Sequence, residues 1–205
     1  MDKKYTSDSI QAFSFGEAIR MRPRLYFEKC FSEKTLDSLP FEVLCHAFDE
    51  YFDNACTKIE ITVCNDSFMV NYNAGISLET KDGGLSKAEV IMTQVFACKN
   101  EKKHLAVGDE FCSLGMATIN FAAERCELTA VCKGKRGHYV FENGAIVTRV
   151  VDNVKPESEF TKIMIKPNKL LFDNLTFTFD GISAKAKQIN TKLQGLEIIV
   201  INRVN

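Results

Sequence analysis

The sequence predicts a mixed α/β domain in which helices pack on a sheet. One stretch, residues 36–55, places its apolar residues at helical spacing and predicts a helix with one buried face. Two short runs, "KIEITV" at 58–63 and "FMVNY" at 68–72, alternate apolar and polar residues and predict a hairpin turned by "NDS". Helical and strand patterns that alternate in this way favour one layered domain.

The remaining segments extend the same alternation. A short helix over "FGEAIRMR" is stopped by Pro23. The strand patterns at 137–142 and 145–151 are joined by Asn143 and Gly144, which favour a type I′ turn. The other predicted elements are helices at 87–97, 113–124 and near 181–194, strands at 126–132, 160–167 and 196–204, and loops at 73–86 and 98–111.

Composition describes an ordinary globular chain. With 205 residues and 45% hydrophobic content, it is long enough for one sizeable core. Its 26 basic and 27 acidic residues nearly cancel, so no global field indicates nucleic acid or an anionic membrane. A mild basic excess after Lys155 allows DNA contact without indicating it.

The cysteine pattern and the apolar runs bear on the compartment. The eight cysteines include no CxxC pair, and with three histidines they form no zinc pattern, which predicts reduced, mostly buried thiols. No segment looks like an export signal or is long enough to span a bilayer. We therefore expect a cytoplasmic protein with no membrane contact.

The acidic stretch "HAFDEYFDNA" at 46–55 is the first candidate site. At helical pitch, Glu50 and Asn54 lie one turn apart on one face, a pair that can prime a water and hold a metal ion. The other interpretation is an acidic helix face that is only solvated. Two isolated histidines, His104 and His138, are expected on the surface.

The order of these pieces resembles the ATP-binding domain of the DNA gyrase B and topoisomerase IV ParE subunits, within the GHKL (Bergerat-fold) ATPases. The segment "YTSDSIQAFSFGEAIRMRPRLYF" looks like the family's arm and its "LEAVRKRPGMYIG" segment. The later "FTKIMIKPNKLLF" and "AKAKQINTKLQGLEIIVINR" are similar to the family's closing elements. The resemblance implies an α+β, two-layer α/β sandwich, with a mixed, mostly antiparallel sheet covered by helices on one face. It also implies an arm at 1–12 and a single domain at 13–205.

The family's first motif, ExxDN, carries a glutamate that activates the attacking water and an asparagine that coordinates magnesium. Two registers fit this sequence. "EYFDN" makes Glu50 the base, Asp53 the motif aspartate and Asn54 the magnesium ligand, but needs a longer insertion before the helix. A register with smaller gaps puts His46 at the base and Glu50 at the magnesium ligand.

The second motif, DxGxG, supplies the aspartate that accepts the adenine amino group. Here it reads "YNAGIS", so Tyr72 stands where the aspartate belongs and only Gly75 and Ile76 remain. A tyrosine cannot reproduce the carboxylate's acceptor pattern, and its ring could fill the adenine space. This substitution argues against ordinary ATP binding.

The third motif, "GGLHGVG", wraps the phosphates with backbone N–H groups. The matching stretch here places Asp109 and Glu110 near the phosphates, keeps Gly115, and has Ala106 where the family has a lysine. Two acids at this place repel a triphosphate. The fourth motif survives as Thr161, which supports the adenine site in the family.

Two functions are compatible with this pattern. The favoured one is a degenerate, pseudo-ATPase domain that acts as a binding or regulatory module related to type II DNA topoisomerases. The alternative is an active ATP-binding and ATP-hydrolysing component of a topoisomerase-like enzyme, with ATP and magnesium as cofactors. The resemblance also implies a homodimer formed through the arm and its Tyr5, or a topoisomerase-like partner subunit.

Overall fold

A seven-stranded sheet forms the centre of the fold in the described residues. The computed structural model of the chain describes residues 12–80, 84–95, 97, 103–108, 111–155 and 158–203. The strands are β1 (Lys58–Val63), β2 (Phe68–Tyr72), β3 (Ala123–Cys132), β4 (Lys135–Glu142), β5 (Ala145–Asn153), β6 (Phe160–Pro167) and β7 (Glu197–Asn202). Their spatial order is β5-β4-β3-β6-β2-β1-β7. Only β1 and β7 pair in parallel, and the other neighbouring strands are antiparallel. The predicted mixed, mostly antiparallel sheet is confirmed.

Helices form the second layer. They are α1 (Phe15–Met21), α2 (Pro23–Tyr26), α3 (Glu28–Glu33), α4 (Leu39–Glu42), α5 (Cys45–Phe52), α6 (Lys87–Thr93), α7 (Gly115–Phe121) and α8 (Phe179–Lys192), with a 3₁₀ helix at Lys103–Val107. Contacts join α8 to β7, α7 to β3 and α4 to β2. The architecture is an α+β fold consistent with a two-layer sandwich, as predicted.

The buried face of the sheet is built from matched rows across three central strands. The rows are Ile59, Tyr72 and Thr161; Ile61, Val70 and Ile163; and Val63, Phe68 and Ile165. All of these side chains are buried, because alternation along each strand sends every second residue to the helical layer. Tyr72 and Thr161 therefore lie side by side under the helices.

The helix predicted over 36–55 is broken in two. Helix α4 ends at Glu42, and Val43 and Leu44 connect it to α5. Both connecting side chains are fully buried, and the thiol of Cys45 donates a hydrogen bond to the Glu42 carbonyl oxygen at 3.3 Å. That bond satisfies an end carbonyl of α4, so the chain can turn there without leaving the core. Because of this break, the direction of the Glu42 side chain does not depend on the direction of α5.

Local sequence signals explain several boundaries. Helix α6 begins at Lys87 because Ser86 and Glu89 form a capping box, and it ends at Thr93, before the predicted Ala97. Between β4 and β5, Asn143 and Gly144 have φ values of 50° and 86°, which fits the predicted type I′ turn.

The predicted arm falls almost wholly outside the described residues. Of the arm predicted at 1–12, residues 1–11, with Tyr5, lie outside the described part of the chain, so the arm and the division at residue 12 stay predictions. Within the described ranges, no helix combines the length and apolar character needed to cross a membrane.

Candidate functional site

Glu42, the last residue of α4, makes a buried contact with the loop before α7. This residue is 2% exposed. Its carboxylate accepts hydrogen bonds from the Leu114 N–H at 2.7 Å and from the Ser113 hydroxyl at 3.2 Å. Burial raises the pKa of Glu42, and these two hydrogen bonds oppose that rise by favouring the carboxylate. A cavity of about 180 Å³ adjoins this carboxylate, lined also by Ser38, Cys30 and Tyr26.

His46 and Tyr72 fill the space between α5 and the end of β2. Tyr72 is 1% exposed and His46 is 5% exposed. A hydrogen bond of 3.2 Å joins the Tyr72 hydroxyl to Nδ1 of His46, and the ring centroids are 5.9 Å apart. Burial raises the pKa of Tyr72 well above its ordinary value because the phenolate would lose its hydration. The phenol is therefore neutral and packed against the imidazole.

Glu50 and Lys87 lie on the other side of the imidazole. Nε2 of His46 is 3.1 Å from Nζ of Lys87 and 3.3 Å from Oε1 of Glu50, and Lys87 and Glu50 are 3.6 Å apart. Lysine only donates hydrogen bonds and a carboxylate only accepts them, so the protonation of Nε2 decides which of the two His46 bonds. The structure thus brings together three predicted residues, His46, Glu50 and Tyr72.

Asp53 and Asn54 lie past the end of α5. Asp53 accepts a hydrogen bond from Nζ of Lys103 at 2.7 Å. Asn54 is exposed, with a left-handed backbone at φ 61°. An asparagine in this conformation commonly ends a helix, so Asn54 does not share a helical face with Glu50 as predicted. Its role as a magnesium ligand stays a prediction.

The residues after β2 make a tight backbone approach to β3. A Cβ atom added at Gly75 would lie 2.4 Å from the Val131 carbonyl oxygen, so only glycine fits there. Ile76 is fully buried. The Thr161 hydroxyl donates a hydrogen bond to the Ala74 carbonyl oxygen at 2.7 Å. Gly75, Ile76 and Thr161 therefore hold this loop in place.

The stretch that matches the phosphate-binding motif is described from Phe111 onward. Phe111 and Cys112 are buried, and Gly115 begins α7 with φ +75°. Ala106 is exposed. The predicted acids, Asp109 and Glu110, lie outside the described residues.

His104 is buried, so the expected surface position was wrong. It is 5% exposed, and both its backbone N–H and its Nδ1 lie 2.9 Å from Oδ1 of Asp49, itself a buried residue on α5. A lone histidine in a polar loop carries no sign of a partner far along the chain, so its sequence could not reveal the contact. The pair fixes the 3₁₀ helix against α5.

Glu42 is the candidate residue that sequence reasoning missed. Counted from Glu42, the sequence reads Glu-x-x-Cys-His, which has the spacing of ExxDN with its glutamate intact. In this register Cys45 and His46 take the places of the aspartate and asparagine, and His46 is the residue that contacts Tyr72. The signal is present in the sequence, but a motif with only its first residue intact is weaker than the more complete "EYFDN".

The side chains around Tyr72 differ in chemistry from the ligands that the resemblance implies for ATP and magnesium. Tyr72, at the position that the resemblance gives to the adenine acceptor, is a buried neutral phenol whose hydroxyl is hydrogen-bonded to His46. An imidazole nitrogen stands in the magnesium position of the Glu42 register, whereas magnesium prefers hard oxygen ligands. Within the described part of the chain, no three His, Cys, Asp or Glu side chains are grouped so that they could hold a metal ion.

Replacing Glu42 with glutamine should change stability in a pH-dependent way. The folded pKa of Glu42 is raised, so its contribution is full below the unfolded pKa and is lost as pH rises through the folded pKa. Glutamine keeps the neutral form, so the unfolding free energy of the variant relative to wild type should increase as pH rises from the unfolded pKa of about 4.3 through the raised folded pKa. The gain is about 1.4 kcal/mol for each unit by which the pKa is raised.

Urea unfolding across this pH range measures the difference. Glu17→Gln is the matched control, because hydrogen bonds to Ser14 lower the pKa of exposed Glu17, so its effect has the opposite sign and is confined to pH values near and below its unfolded pKa of about 4.3. A difference between Glu42→Gln and wild type that does not vary with pH would contradict the account of this buried carboxylate.

The fold is consistent with one class of domain. In the described residues, the mixed seven-stranded sheet with its helical layer fits the two-layer sandwich of the GHKL type. No known protein-family profile matches the chain.

Several individual proteins are similar to the chain in sequence. The DNA gyrase B protein of Rickettsia typhi is 28% identical over 208 residues, covering 98% of this chain and 26% of that protein. The DNA gyrase B protein of Thermotoga maritima is 28% identical over 207 residues, covering 99% of this chain and 32% of that protein. The B-type subunit of the type 2 topoisomerase of Aquifex aeolicus is 25% identical over 193 residues, covering 91% of this chain and 24% of that protein. The chain is thus similar to DNA gyrase B over nearly its whole length, and spans about a quarter to a third of the length of these relatives.

Proposed function

We propose that this chain is a gyrase-B-like domain with a degenerate nucleotide site, which serves as a binding or regulatory module related to type II DNA topoisomerases. The observation that carries the proposal is the buried ring of Tyr72, hydrogen-bonded to His46 at the place where the resemblance puts the adenine acceptor.

An adenine ring could enter this place only by displacing the Tyr72 side chain. Exposing a fully buried aromatic side chain costs about 2 to 3 kcal/mol, before the loss of its hydrogen bond to His46. A penalty of this size weakens binding by about two orders of magnitude. The incoming base would also lack the carboxylate that accepts its amino group.

The sequence of the stretch that matches the phosphate-binding motif also disfavours nucleotide binding. Asp109 and Glu110 replace glycines, and Ala106 replaces a lysine. Negative side chains near a triphosphate raise its electrostatic energy, and the missing lysine removes a compensating charge. Both ends of a nucleotide therefore lose the groups that the family uses to bind it.

A module of this kind acts through its surfaces. The relatives are subunits of topoisomerases, so the natural partners are a second copy of this chain or a topoisomerase-like subunit. The sheet that supports such surfaces has matched buried rows across β1, β2 and β6.

The test is a calorimetric titration of the full chain with ATP and with a non-hydrolysable analogue, each with and without magnesium. We expect dissociation constants of about 1 mM or weaker, which corresponds to less than about 4 kcal/mol of binding free energy. A micromolar constant for either nucleotide would refute the degenerate site. A second titration with Tyr72→Phe controls for the hydroxyl, because that variant keeps the ring and should bind no better.

One observation favours the alternative, an ATP-hydrolysing component. Glu42 keeps the first position of the ExxDN spacing and is oriented toward the loop before α7 by Ser113 and Leu114. If nucleotide binds at micromolar concentration, Glu42→Ala and Glu50→Ala separate the registers. The variant that abolishes turnover while largely sparing affinity marks the base, because a base acts in the transition state.

A further inference from the structure

Two cysteines, Cys45 and Cys112, are neighbours at the edge of this site. Sγ of Cys45, the first residue of α5, lies 3.7 Å from the carbonyl oxygen of Cys112. It also lies 3.3 Å from the carbonyl oxygen of Glu42, while Sγ of Cys112 lies 3.1 Å from that of Phe41. Phe41 and Glu42 are consecutive, so the two sulfurs sit over neighbouring carbonyl groups at the end of α4.

The two thiols differ in how solvent reaches them. Cys45 is half-buried, whereas Cys112 is 4% exposed. Burial raises the pKa of Cys112 well above its ordinary value, and the adjacent Cys45 adds to the rise. Cys112 is therefore held as a thiol, and Cys45 is the member of the pair that a solute can reach.

We propose that Cys45 and Cys112 form a reversible intramolecular disulfide that fastens α5 to the loop before α7. This inference does not rest on the proposed function, because it requires only the position of the two thiols. It assigns a modification site, with a small-molecule disulfide as the oxidant.

The disulfide forms by thiol–disulfide exchange in two steps. The Cys45 thiolate attacks one sulfur of oxidised glutathione, forming a mixed disulfide and releasing one glutathione thiolate. Cys112 then gives its proton to the released glutathione thiolate, and the Cys112 thiolate attacks the Cys45 sulfur, which closes the protein disulfide and expels the second glutathione as a thiolate. Two protein thiols are oxidised, and one oxidised glutathione is reduced to two molecules of glutathione.

The cross-link would restrict the unfolded chain over a separation of 67 residues. A disulfide that closes a loop of this size should raise the midpoint of thermal unfolding by about 8 °C in a chain of this length, provided that the folded state is not strained. Dithiothreitol should reverse the shift.

The experiment incubates the full chain with oxidised glutathione, blocks the remaining thiols by alkylation and maps the peptides by mass spectrometry without reduction. We expect a cross-linked peptide pair containing Cys45 and Cys112, together with the thermal shift. Recovery of Cys45 only as its glutathione adduct, with Cys112 alkylated, would overturn the proposal. The wild-type chain is sufficient for this measurement.

Two substitutions sharpen the thermal measurement. Cys45→Ser should abolish the shift caused by oxidised glutathione. Cys64→Ser, at a half-buried cysteine that follows β1, is the matched control and should retain it. A shift that persists in Cys45→Ser would assign the stabilisation to other thiols and refute the pair.

Discussion

Replacing Tyr72 with alanine should lower the free energy of unfolding by about 4 kcal/mol, as for other large aromatic side chains removed from cores. The ring is 1% exposed and lies in a buried row of the sheet, between Ile59 on β1 and Thr161 on β6. Both neighbours are held by strand pairing, so the surroundings can collapse only partly into the cavity. The loss is measured by urea unfolding at neutral pH.

Two further variants separate the ring from its hydroxyl. Tyr72→Phe removes only the hydrogen bond to His46 and should cost about 1 kcal/mol. Tyr51→Ala removes a half-buried tyrosine whose hydroxyl donates to the Gln194 carbonyl oxygen, and it should cost clearly less than Tyr72→Ala. If Tyr72→Ala cost no more than Tyr51→Ala, the ring would not be a core residue and could not exclude adenine.

Replacing Gly75 with alanine should destabilise the fold by about 3 kcal/mol, at the upper end of the usual cost of overpacking. The added methyl group would lie 2.4 Å from the Val131 carbonyl oxygen and 2.9 Å from Cβ of Cys132. The first of these atoms belongs to the backbone of β3, which is paired on both sides with β4 and β6. The strand cannot move away without loss of its hydrogen bonds. Thermal and urea unfolding both report the change.

Gly134→Ala is the matched control for Gly75→Ala. Gly134 has φ +73°, and a Cβ atom there would meet nothing closer than 3.9 Å. Its cost comes from the left-handed backbone alone, about 1 to 2 kcal/mol. Equal losses at the two positions would show that the loop after β2 can move away from β3, contrary to the contact described.

The strands were predictable because their signal is local. The alternation in "KIEITV" and "FMVNY" places every second side chain on the buried face whatever the partner strand is, and the two predicted ranges match β1 and β2. Asn143 and Gly144 likewise determine their turn by their own backbone preferences. The parallel pairing of β7 with β1 has no such local signal, because it joins segments far apart in the sequence.

The site was only partly predictable, because several of its contacts join segments that are far apart in the sequence. Tyr72 is recognisable from its place at the end of a strand, and its burial follows from the strand's alternation. The break between α4 and α5 depends on a thiol contact and on the packing of Val43 and Leu44, which periodicity does not reveal. Because the predicted helix is continuous, it places Glu42 in an early turn and gives no sign of the contact with Ser113 and Leu114.

The position of β7 at one edge of the sheet has a consequence for folding. Its partner β1 is synthesised long before it, so the sheet cannot be completed until residues 197–202 have left the ribosome. Until then, the side of β1 that later binds β7 presents unpaired N–H and C=O groups, which are a template for association with other chains. Pairing between segments so distant along the chain also slows folding, since the loop between them must close first. During synthesis this chain therefore passes through a state whose exposed strand edge lies next to the candidate site.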